Sequence, residues 1–161
     1  MAVGWRDNAF QPGKALAGAI ADRWSWLTKR GDLEPFLCSM LGDVFAADGD
    51  GQVHWLCCSA ADVRQVAASR AAFDAICARG GDEVDEWFGP KLIARLHAAG
   101  KVAGPGEAYM FLTLPIFAEC SFEPENFKVM SVNDVFIGLA EIHQLYLGIP
   151  DGTKVRHWIV D

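Results

Sequence analysis

Apolar positions along this chain change period several times, and the changes divide it into elements. Leu16, Ile20, Trp24 and Leu27 recur at spacings of 4, 4 and 3, one face of a helix that Gly31 stops. Residues 1–13, ending in Pro12-Gly13, carry no period and predict an irregular N-terminal arm. Strand-like runs follow at Asp43 to Ala47 and Gln52 to Cys58. In the second, Val53, Trp55 and Cys57 alternate with His54, Leu56 and Cys58. Both faces are apolar, as in a strand inside a sheet. Val63 to Val66 predicts a short third strand.

The helical period returns at Ser69, with Phe73, Ile76 and Cys77 on one face and Gly80-Gly81 at the end. Asp82 to Phe88 begins acid-rich, as a helix N-terminus prefers. Gly89 interrupts it. Pro90 suits the first position of another helix, with Ile93, Leu96 and His97 recurring and Gly100 as its stop. The Gly104-Pro105-Gly106 turn leads into Tyr109 to Leu114, a candidate central strand that Pro115 ends. Phe127 to Met130 predicts another strand. Ser131 caps a helix, with Asp134 in capping-box position and Val132, Val135, Phe136, Leu139, Ile142 and Tyr146 as the core stripe. Gly148 and Pro150 end it, and Lys154 to Val160 predicts an edge strand. Strands come in groups with helices before and after, which predicts an α+β fold. Its largely antiparallel central sheet packs with about four helices in a single domain over residues 14–161.

Composition narrows the function classes. Of 161 residues, 52% are hydrophobic and 22% charged, which excludes a disordered chain. The longest apolar run, Tyr109 to Ala118, is about half the length of a membrane helix. No secretory signal is recognised, so a cytoplasmic protein is expected. Five cysteines without a CxxC give no disulfide framework or zinc knuckle and read as buried thiols. The net charge is −7, which disfavours direct nucleic-acid binding and suits a basic protein partner. Asp32, Glu34, Asp43, Asp48, Asp50 and Asp62 fall in a stretch without Lys or Arg, and Asp82, Glu83, Asp85 and Glu86 follow. The plainer alternative is that acidic surfaces simply keep proteins soluble.

The stretch Asp48-Gly49-Asp50-Gly51 has three readings. A calcium loop fails, because the register that puts Asp48, Asp50 and Gly51 in place puts Ala46 and Cys57 at its two ends. A phosphate loop fails for want of a following helix and a Lys. A tight hairpin turn fits, since Gly and Asp tolerate positive φ. Its two carboxylates would then stand at an exposed tip. Among the four histidines none forms a metal-ligand pair, and His143 reads as a core or boundary residue. Glu123-Pro124-Glu125-Asn126 reads as a turn with solvated acids. Trp87, beside an acidic rim, is either an interface anchor or a core plug. The residues call for no metal, cofactor or catalytic group. The candidate partner-binding residues are Asp48, Asp50, Asp82, Glu83, Glu86, Trp87, Glu123 and Glu125.

The ordered segments LGDVF (41–45), GQVHWL (51–56), DEWF (85–88), AGKVAGPGEAY (99–109), PENFKVMSVNDVFIGLAEIHQ (124–144) and PDGTKV (150–155) resemble the C-terminal domain family of type VI secretion immunity proteins. These Tdi-like proteins neutralise a secreted DNase toxin of the Tde type. The resemblance spans roughly residues 20–156. It implies a bacterial cytoplasmic antitoxin that binds the toxin's nuclease domain, without catalysis. The GAD-like domain that often precedes this family is not expected here, since some 20 residues precede the match. The segment IFAECSF (116–122) departs from the glycine-rich turn of the family. Two alternatives stay open: an adaptor domain for another cytoplasmic protein, and an enzyme whose cleft joins His54, Cys58 and the carboxylates around Glu123.

Overall fold

Short turns and alternating side chains carry the chain up and down through five antiparallel strands. The computed structural model describes residues 4–154. Strands β1 (Ala9–Phe10), β2 (Glu34–Ser39), β3 (Asp43–Ala47), β4 (Val53–Cys57) and β5 (Asp62–Ala67) lie side by side in chain order. Val44 pairs with Leu56, and Phe45 with Trp55. Because successive residues point to opposite faces, Val44 and Leu56 enter one core while Phe45, Val53 and Trp55 enter another. The sheet is thus covered on both sides, as the two apolar faces of β4 predict.

On the Phe45 side pack α3 (Arg70–Arg79) and α4 (Asp82–Phe88), through Phe73, Cys77, Val84, Trp87 and Phe88. Ser69 caps α3 by accepting from the Ala72 amide, and Gly80 ends it. On the Val44 side lie α1 (Lys14–Arg23), α5 (Pro90–Ala98), the hairpin of β6 (Glu107–Phe111) with β7 (Phe127–Ser131), and α6 (Leu139–Tyr146). A four-residue helix, α2 (Ser25–Thr28), extends α1 beyond Trp24. Ser131 and Asp134 form the predicted cap, with the Asp134 amide donating to Ser131 Oγ at 3.1 Å. A π-helical turn, Asp134–Gly138, then leads into α6. In that turn the Phe136 carbonyl accepts a 2.8 Å bond from the fully buried Trp24 indole, tying α1 to α6.

Four expectations need correction. The arm is not irregular: Trp5–Asn8 form a 3-10 turn, and β1 pairs with β2. Tyr109 to Leu114 is not a central strand. Its first three residues end β6 in a separate two-stranded sheet, joined to the first by the Tyr109 amide donating to the Met40 carbonyl. Tyr109, Phe111 and Leu114 are buried by packing, whereas Leu112 stands in solvent. His97 points to solvent, one step off the Ile93–Leu96 stripe. Six α-helical segments, not four, are described. The predicted last strand falls almost entirely outside the described residues. Among those described, no helix is long and apolar enough to cross a membrane.

Candidate interaction surface

The β3–β4 turn is a hairpin, as predicted. The Asp48 amide donates to the Gln52 carbonyl, the Gly51 amide donates to the Asp48 carbonyl, and Gly51 adopts a φ of +80° that favours glycine. The two carboxylates behave differently. Asp50 stands exposed at the tip, whereas Asp48 is buried. Asp48 Oδ1 accepts from the Asp50 and Gln52 amides at 2.9 and 3.0 Å, and Oδ2 accepts from His54 Nε2 at 2.7 Å. Arg30 approaches Oδ2 at 3.3 Å. The His54 hydrogen bond, with those amides behind it, holds the Asp48 carboxyl below its ordinary value. Asp32 completes the cluster by accepting from Arg30 and the Gly49 amide, which lower its pKa too. Asp48 therefore shapes the turn and offers no free carboxylate to a partner, which corrects its placement at an exposed tip. Arg30 and Asp32 lie far from the turn in sequence, so no spacing pointed to them.

Helix α4 answers the question of Trp87. Its side chain is 1% exposed, with its ring 5.1 Å from Phe45 and stacked 5.6 Å from Phe73. It is a core plug and not an interface anchor, a correction that follows from the helical phase: Val84, Trp87 and Phe88 face the sheet. That same phase turns Asp82, Glu83, Asp85 and Glu86 to solvent. Glu86 lies 3.6 Å from Arg64, whose guanidinium sits 4.4 Å over the Trp55 ring. Among the described residues no cation lies within ion-pair distance of Asp82, Glu83 or Asp85. Four carboxylates thus project from one turn-and-a-half of helix bolted down by two aromatic rings.

Glu123 and Glu125 are exposed on the opposite side of the sheet, in the segment joining β6 to β7. Glu123 pairs with Arg95 of α5. The predicted residues consequently form no single patch: the α4 acids lie over one core and the Glu123 segment over the other.

The enzymatic arrangement is not assembled. Cys58 is fully buried in the Val44-side core, and burial pushes its thiol well above the ordinary value, opposite to what a nucleophile needs. His54 is engaged with Asp48, and Glu123 with Arg95. His143 is a satisfied core residue, donating from Nε2 to the Ser59 carbonyl at 3.1 Å. One acid of the sequence's acidic stretch, Asp43, is buried. Burial raises the Asp43 carboxyl to about 7, with Cys57 and Trp55 opposing the shift. The Trp55 indole is near enough to exert that effect, yet it makes no bond of hydrogen-bond geometry. A groove of ≈ 510 Å³ between β1 and α3 is lined by Trp5, Arg6, Phe10, Leu37, Arg70 and Phe73, among others, none of them predicted.

No protein-family profile matches the chain, and no curated protein does. Among solved structures, it is similar to Atu4351 from Agrobacterium tumefaciens, with a TM-score of 0.57 at 12% identity. The match covers 83% of this chain and 66% of that one, so this chain spans slightly less than two thirds of its length. At such identity the likeness is one of fold.

Proposed function

We propose that the chain is an immunity protein that binds the nuclease domain of a type VI secretion DNase toxin and keeps it from DNA. The observation that carries this reading is the α4 ridge, where Asp82, Glu83, Asp85 and Glu86 are exposed on a helix fixed by buried Trp87 and Phe88. A nuclease must present cationic surface to hold phosphates. The field of a row of exposed carboxylates speeds encounter with that surface. Asp50 at the hairpin tip adds to the field. The segment resemblance supports the same reading. Neutralisation then follows from occluding or distorting the DNA cleft, with no bond broken by this chain.

Co-expression tests the reading. Cells carrying the cognate DNase toxin of the proposed pair should survive when the chain is made and die when it is not. Death in both cases, with the chain soluble and abundant, would refute it.

A further inference from the structure

Large apolar side chains stand in solvent at one place on the Val44 side. Leu112 and Phe122 are 59% and 58% exposed, both in the segment joining β6 to β7. Leu145 and Leu147 are 78% and 59% exposed at the end of α6. The two groups belong together, because the Phe117 ring meets the Tyr146 ring edge-on at 5.3 Å. Ile116 lies beside that contact in sequence and is 43% exposed. Scattered exposed leucines need no explanation, but a grouped set with a polar rim marks an interface.

The segment is also held in shape. The Asn126 side chain accepts from the Thr113 amide at 2.8 Å and donates to the Thr113 and Ser121 carbonyls at 3.0 and 2.9 Å. Both ends of the loop are thereby clamped by one residue, and Phe122 packs edge-on against Phe111 at 5.4 Å. The apolar groups are presented ready-made, which lowers the entropy lost on binding. The rim is acidic. Glu119 and Glu125 are exposed and, among the described residues, have no cation within ion-pair distance. Glu123 and Glu141 hold Arg95 and Arg23 in exposed pairs that a partner's cations can replace at little cost.

We propose that loop 112–122 and the end of α6 form the surface that the cationic nuclease domain covers, with the α4 carboxylates acting on it only through their field. The proposal rests on the immunity reading and assigns its contact surface. A partner of this kind carries an apolar recess ringed by Lys or Arg. The apolar groups supply the desolvated centre that holds the complex, while charge sets the encounter rate.

The probe is the catalytically inactivated nuclease domain of the proposed cognate toxin, its binding followed by surface kinetics at two salt concentrations. Leu145→Ser and Phe122→Ser should each raise koff about 10-fold or more, with kon and Tm unchanged. Leu145 is nearly bare of contacts, so its variant reports even if Phe122→Ser weakens the loop. The Asp82→Lys/Glu83→Lys variant should lower kon, most at low salt, and leave koff alone. If both serine variants keep koff within about twofold of the parent chain while the α4 variant raises it, the contact lies at α4 and the proposal is wrong. If the free chain sediments as a dimer that Leu145→Ser dissociates, a second copy covers the patch and the proposal is also wrong. If the parent chain fails to bind the nuclease domain at all, the immunity reading itself falls.

Discussion

Replacing Trp87 with alanine separates a core residue from an interface anchor, two roles that an aromatic beside acids can fill. The ring is 1% exposed and touches Phe45, Phe73, Trp55 and Phe88. A buried aromatic side chain removes roughly 150–250 Å² from water. At about 25 cal/mol per Å² that gives roughly 4–6 kcal/mol, an upper bound because unfolded chains are already partly collapsed. Truncations of this kind cost about 3–5 kcal/mol, so we take about 4. Against a typical stability of roughly 5–15 kcal/mol, the variant is left marginal. At about 2–4 °C per kcal/mol for a domain of this size, Tm falls by roughly 8–16 °C. Urea and thermal unfolding followed by circular dichroism read both quantities, and Trp87→Phe, which keeps a ring, should lose less. A Trp87→Ala protein that melts within about 2 °C of the parent and binds its partner more weakly would refute the packing argument.

Asp43→Asn should change how stability depends on pH. Burial raises this carboxyl from 3.8 to about 7, so between those values the native state holds a proton that the unfolded chain has released. Stability therefore falls as pH rises through that window and levels off above it. The variant lacks the fall, and relative to the parent it should gain up to roughly 4 kcal/mol between pH 4 and pH 8; a pH-independent difference in urea melts would contradict this. Asp48→Ala should speed hydrogen exchange at the Asp50 and Gln52 amides, which lose their acceptor, and equal protection would contradict the assignment. Because the Asp48 carboxyl is held below 3.8, its contribution is present above that pH and is lost as pH falls below it. In the parent chain the two amides should lose protection on that acid side.

Local signals carried most of the sheet. The β3–β4 hairpin, the Ser69 and Ser131 caps and the Pro90 helix start depend on contacts within a few residues, and each left a mark in the sequence. β2 did not, because Pro35 interrupts its run; the structure places a register shift between Pro35 and Leu37, where a missing amide is tolerated. β1 is two residues long and exists because β2 has a free edge. Tyr109 to Leu114 misled because an apolar run does not show which of its residues stay in solvent, as Leu112 does. The candidate surface was harder still. Exposure of the α4 acids followed from helical phase, as did the burial of Trp87. The capture of Asp48 by His54 and Arg30, and the Asn126 clamp under loop 112–122, join residues that only the folded chain brings together.

As proposed, this chain stops a nuclease by covering it. The test that bears on it first titrates the purified chain into the nuclease domain of the proposed cognate toxin and follows cleavage of a linear DNA duplex. The account predicts that cleavage falls linearly and ends at one chain per nuclease, and that the complex no longer retards DNA in a gel. Undiminished cleavage with the chain in excess, or a complex that still binds DNA as the free nuclease does, would contradict it.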